Sequence, residues 1–366
     1  MPTLDHGNVT IDASNAGVIV DGSGTPEDTV GIRIISNGNT IKGLQILYFP
    51  VDGVVIKDGA QNNTIGGDRT VGAGPTGEGN VISGNGRHGI RIRGSGTMSD
   101  TIIGNCISTD VSGMVAISNA EIGVRIDDGA QYNLIGGDTP GERNVIGGNG
   151  GPGVSIEGSG TDANTVIGNC IGTDASGTAD LGNSGQGVTV WNGAQSNTIG
   201  GDTPGERNVI GGNGRYGIPI CDEGTYGNVV SGNYIGADAS GTADLGNSYD
   251  GVLIDNDAQN NTIGGSAPGE GNVSAHNGGV GVLVDGSATT GNTISRNSIT
   301  ANGGLGINNL NGGNTELTSP AIASASCKSV SGTAPPNSTV EIFSDPADEG
   351  KRYEGTTTAD ATGAFT

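Results

Sequence analysis

Aromatic residues make up only 3% of this 366-residue chain, with a single Trp and three Phe, which excludes a core built from large rings. Proline is sparse beside glycine, 13 against 73, and no strict Gly-X-Y period is present, which excludes collagen. Basic side chains are scarce too: 15 Lys and Arg face 38 Asp and Glu, a formal net charge of -23. Duplex nucleic acid and anionic lipid both need a basic face, so neither is an expected partner. The four cysteines (106, 170, 221 and 327) stand far apart without a Cys-x-x-Cys spacing, so no zinc site or disulfide scaffold is expected. No apolar run approaches the ~18 residues of a membrane span, so membrane insertion is not expected either. The opening MPTLDHGNVT has neither the basic nor the apolar region of a signal peptide. Low hydrophobicity with high net charge is also the composition of disorder. Only the regular placing of the apolar residues argues otherwise.

What is present is a repeat. NLIGGDTPGERNVIGGNG from Asn133 returns as NTIGGDTPGERNVIGGNG from Asn197 and as NTIGGSAPGEGNVSAHNG from Asn261, at an offset of 64 residues each time. The tetrapeptide G-[VI]-x-[IV] divides that unit in two. It recurs at Gly31, Gly53, Gly89, Gly123, Gly153, Gly187, Gly217, Gly251 and Gly281, and as GLGI at Gly304. The end intervals are 22 and 23 residues, and those between alternate near 34 and 30, so a bare coil gains one of two loops in turn. The loops read DTPGER and TDASGTADLGNS. A parse into three coils of about 21 residues fits the arithmetic, but the bare coils match their neighbours motif for motif only in the two-coil parse.

Each coil holds two short alternating segments, GVxI and NTIxGN, too short and too β-branched for helices. Like segments recur once per coil rather than pairing across tight turns, which predicts parallel stacking in rungs ~4.8 Å apart. Val124, Val154 and Val188, with Ile126, Ile156 and Val190 beside them, are then inward columns of a narrow aliphatic core. The Asn of NTI and of GN recurs coil after coil, as stacked, hydrogen-bonded amides at the corners would require. Cys106 and Cys170 fall two coils apart, ~10 Å, beyond the ~7 Å that a disulfide can bridge, and read as small buried side chains.

With these motifs the chain resembles the right-handed parallel β-helix repeat proteins of the pectin-lyase-like superfamily, above all bacterial surface and secreted members with the form NTIGG…NVISGNG…GI.I. The resemblance implies an all-β, single-stranded, right-handed parallel β-helix of about ten to eleven coils over residues 1–315. From 316 to 366 the repeat stops, Pro appears and strands such as STVEIFSD alternate. This segment resembles the opening strands of a bacterial immunoglobulin-like domain, or caps the helix, and is too short to close a sandwich of ~100 residues. A piece of a larger, secreted or cell-surface multidomain protein is expected, its signal peptide lying upstream.

In the resembling superfamily, activity sits on the outer face of one stacked sheet. In GVxIx the third and fifth residues point outward. Arg91 and Arg93, then Arg125 and Asp127, then Glu157 fall on three consecutive rungs, and the sole Trp, Trp191, falls on the fourth. Asp127 and Glu157 would stand roughly 5 Å apart, near the carboxyl separation of retaining glycosidases. Guanidinium forks suit uronate carboxylates and an indole face suits a sugar ring. These considerations make Asp127, Glu157 and Arg125 the candidate catalytic residues, and Arg91, Arg93, Trp191 and His88 the candidate substrate contacts. The plainer reading is that solvated strands carry polar residues and pair them across rungs. His88, in RHGIRIR, resembles the GHG…RIK of pectin hydrolases, but the NTD and paired-Asp motifs are missing, and so is the YG.DPH segment of epimerases. Asp127 and Asp128, the one Asp pair, should point to opposite sides.

Asp110, Asp174, Asp180, Asp238 and Asp244 fall in equivalent loops with the hard oxygens Ca²⁺ takes, though without EF-hand spacing. Solvated acidic loops are the default, Ca²⁺ is the one cofactor the loops could serve, and no other metal is assigned. Two function classes follow. One is a structural or adhesive surface module that contacts a polysaccharide or cell-surface glycan. The other is a carbohydrate-active enzyme, a polysaccharide lyase or glycoside hydrolase on acidic glycans, working at the Arg91–Trp191 face. Near-identical repeats favour the first; the one stretch where coils differ keeps the second open.

Overall fold

A computed structural model of the chain describes residues 3–345 and 350–366. Three parallel sheets of 11, 10 and 10 strands run its length, and every strand pairs with its equivalent one coil on. The architecture is a right-handed parallel β-helix. The coil parse into two per 64 residues holds: Val124 pairs with Val154, and Val154 with Val188.

Each coil has three strands, not the two expected. In one coil they are Val154–Glu157, Thr165–Val166 and Cys170–Ile171. The motif NTIxGN conceals a corner. Its Gly takes a positive φ, as at Gly168 (68°), and the following Asn turns the chain into a third strand. The two loop types leave at different corners. DTPGER lies between the second and third strands, and TDASGTADLGNS between the third strand and the next coil.

Inward positions alternate as the repeat requires. Ile126, Ile156, Val190, Ile220 and Ile254 form one column with no exposed surface, and fully burying each such side chain contributes roughly 1.5–3 kcal/mol. Each corner carries an amide ladder. One runs from Asn39 to Asn314, a second from Asn80 to Asn297 and a third from Asn85 to Asn302. The link is double: Asn133 donates both its backbone N–H (3.0 Å) and its Nδ2 (2.8 Å) to Asn164 Oδ1. Buried backbone donors at the corners are thereby satisfied without water. Backbones also approach too closely for a side chain. A Cβ on Gly136 (φ 91°) would lie 1.9 Å from the Ile167 carbonyl oxygen.

Beyond a short turn at Gly313–Glu316 the chain becomes antiparallel. Ala321–Ala325, Val330–Thr333 and Ala364–Phe365 form one sheet, and Thr339–Ser344 pairs with Arg352–Thr358. Val340, Ala359 and Phe365 supply a small core. This segment lies against the last coil: Glu341 accepts from Ser295 Oγ (2.6 Å) and the Arg296 N–H (3.0 Å), and the Gly350 carbonyl accepts from the Ile299 N–H. It covers an edge that would otherwise offer unpaired backbone groups.

Candidate functional site

The outer face of the 11-stranded sheet bears the charged stretch. Strands Ile90–Arg93, Val124–Asp127, Val154–Glu157 and Val188–Trp191 stack in register, placing Arg91 beside Arg125, Asp127 beside Glu157, and Glu157 beside Trp191. The side chains then pair diagonally. Arg91 grips Asp127 with both ends of its fork, Nε donating to Oδ1 at 3.1 Å and Nη2 to Oδ2. Arg125 makes an ion-pair contact with Asp127 Oδ2 (Nε, 3.1 Å) and donates from Nη2 to Glu157 Oε1. Trp191 Nε1 closes the row by donating to Glu157 Oε2 at 2.6 Å. Five residues on four rungs thus form one continuous polar chain.

Burial decides what that chain can do. The Asp127 side chain is only 2% exposed, and both its oxygens face guanidinium groups. Glu157 is buried as well, with both oxygens occupied. Each oxygen of both carboxylates is thus engaged by a guanidinium or indole donor. Trp191, by contrast, is 37% exposed as a residue and held at its ring nitrogen, a fixed apolar surface at the end of a charged row.

Two candidates are placed apart from this row. Arg93, in register with Asp127, crosses to Asp128 at the far corner, where the pair is exposed. His88 lies behind the face with no exposed surface. Its Nδ1 faces the Ile122 N–H at 3.3 Å, and its Nε2 lies 3.4 Å from both Glu121 Oε2 and Arg125 Nη1. Burial, with Arg125, Arg87 and Arg91 nearby, pulls its pKa down to about 3, so the imidazole is neutral. His88 supports the backbone and borders Arg125 without facing solvent.

Sequence reasoning passed over an aromatic pair. Tyr216 and Tyr249, at the corner leading into the same sheet, meet edge to face with centroids 5.2 Å apart at 64°. They line a shallow hollow with Ser248, Asp250, Gly278 and Gly279. The signal was available: RYG and SYDG stand where neighbouring coils read GPG and GQG.

The acidic loops are self-contained. Asp174 Oδ1 accepts the N–H groups of Thr178 (2.9 Å) and Ala179 (3.1 Å), and Asp238 holds Thr242 and Ala243 in the same way. Asp110 repeats the pattern with Met114 and Val115, while Asp180 and Asp244 cap Gly182 and Gly246. Among the described residues no group of three or more His, Cys, Asp or Glu side chains is arranged to hold a metal ion. Cys106 and Cys170 are buried, free and separated by the intervening Val145 rung.

No family model and no curated protein matches the chain. Among solved structures it is similar to the A-module of mannuronan C-5 epimerase AlgE4 from Azotobacter vinelandii, at 17% identity and a TM-score of 0.31 over 82% of this chain. It is also similar to the Dettilon tailspike protein, at 15% identity and a TM-score of 0.44 over 92% of this chain. The chain spans 66% of the epimerase module and 68% of the tailspike.

Proposed function

We propose that this chain is a rigid, secreted or cell-surface β-helix module, part of a larger protein, which acts as a structural or adhesive element and contacts polysaccharide through the Arg91–Trp191 face. One observation carries the reading: the indole of Trp191 is fixed by Glu157 while its ring stays accessible. A ring that is already oriented loses little freedom when a sugar stacks on it. The carboxylates beside it are neutralised by Arg91 and Arg125, so they hold the ring and the strand register instead of offering an acid and a base.

The test is affinity electrophoresis in gels containing polyuronates or neutral polysaccharides, run beside assays for unsaturated product and new reducing ends. Retention in at least one gel, lost in Trp191→Ala and unaccompanied by turnover, is the expected result. Failure to be retained by any glycan overturns the adhesive reading. Turnover abolished by Glu157→Gln replaces it with the lyase or hydrolase reading, for which the adjacency of Asp127 and Glu157 is the supporting observation.

A further inference from the structure

The amide ladder that opens the second strand of each coil contains one foreign residue. From Asn39 to Asn292 each rung is Asn except one, which is Asp100. Asn63 donates to Asp100 Oδ1 twice, from its backbone N–H and from Nδ2, both at 2.8 Å. The Asp100 backbone N–H in turn donates to Asn133 Oδ1 at 3.0 Å. The second link is missing. Where every other rung between Asn39 and Asn292 directs a side-chain N–H at the next rung's oxygen, Asp100 presents Oδ2, which has no hydrogen-bond partner among the described residues although the side chain is completely buried. An ionised carboxylate would set oxygen against oxygen there, away from water, whereas a carboxylic acid has the one hydrogen that the rung lacks.

We propose that Asp100 is a proton-binding rung: its carboxyl group is protonated in the folded chain and donates from Oδ2 to Asn133 Oδ1, and loss of that proton loosens the joint between the Asn63, Asp100 and Asn133 coils.

The surroundings agree. The strands packed on either side, Thr64–Gly66 and Leu134–Ile135, carry no titratable group. The charged residues of that corner, Lys57 with Asp58 and Arg93 with Asp128, are ion-paired with each other outside the ladder. Burial is the largest influence on Asp100 and raises its pKa to about 7, against the two Asn63 hydrogen bonds, which lower it. The unfolded carboxyl titrates near 3.9. Between these values the folded state binds the extra proton, so this group's contribution to stability is full at low pH and is lost as pH rises toward and through 7. The coil concerned is the one that carries Arg91, so the joint underlies the start of the charged face.

Asp100→Asn restores the repeat's own residue and so tests the proposal without risk to the fold. Chemical unfolding of both proteins from about pH 5 to pH 8 isolates this group, because every other titration cancels in the difference. The wild type should lose stability relative to Asp100→Asn by several-fold or more in the unfolding constant across that range. The native proteins give an independent readout: at about pH 5.5 the infrared spectrum of the wild type should contain a protonated-carboxyl stretch that Asp100→Asn lacks. A pH-independent stability difference overturns the proposal, and so does the absence of that band from the difference spectrum.

Discussion

Trp191 Nε1 and Glu157 Oε2 are 2.6 Å apart on adjacent rungs, and that one bond links the chain's only indole to a row of charges three rungs long. Since no second Trp contributes, its emission reports on the surroundings of this one ring. Glu157→Ala should free the ring and shift emission to the red with little change in overall fold; Glu157→Gln, which keeps an oxygen acceptor, should shift it less. Emission maxima of the two variants check this, and equal shifts would show that the bond does not hold the ring.

The Arg91 fork to Asp127 should be the most stabilising ion pair on this face. Removing one partner of a buried pair leaves the other charge uncompensated, at a cost of about 3–5 kcal/mol, and Arg125 remains to offset part of it. Arg91→Met should therefore destabilise by about 2–3 kcal/mol in urea unfolding. The exposed Arg93–Asp128 pair should contribute less than about 1 kcal/mol. Arg93→Met is the matched control.

An interior ladder residue should matter as much as a core side chain. Asn169 accepts from Asn144 Nδ2 and donates from its own Nδ2 to the Ile135 and Ile167 carbonyls and to Asn208 Oδ1. Asn169→Ala strands several buried partners at once and should cost about 3 kcal/mol or more. The readout is the denaturant midpoint.

His88 should stay neutral well below the usual histidine range. Its folded pKa of about 3 lies under the ordinary value near 6.5, so its contribution to stability is full above about 6.5 and is lost as pH falls from there toward 3. Its NMR imidazole resonances should not move between about pH 8 and pH 5. In His88→Gln the acid-side fall in stability should be smaller than in the wild type.

The helix was legible because its constraint is repetitive. One inward column, Val124 to Val282, exposes the period, and the same residues fix the register seen between strands. The number of strands per coil was less legible. The third strand is only two residues long in coils such as the one holding Cys170–Ile171, too short for alternation to show. On the charged face, the GVxIx positions placed Arg91, Arg125, Asp127, Glu157 and Trp191 correctly on one surface. What they did not reveal was which side chain grips which. That depends on the reach of the guanidinium groups from third positions to fifth positions one rung on. His88 and the Tyr216–Tyr249 pair stand at corners, where no two-residue period says which way a side chain turns.

The three amide ladders share a direction. In each, a coil donates N–H groups to oxygens on the coil that follows it in the chain. The edge exposed by a partly synthesised chain therefore bears waiting ladder donors beside carbonyl acceptors, and the coil next to leave the ribosome brings the matching oxygens and amides. Assembly in the order of translation meets complementary groups at every step, so the helix has a grain, and it runs the way the chain is made.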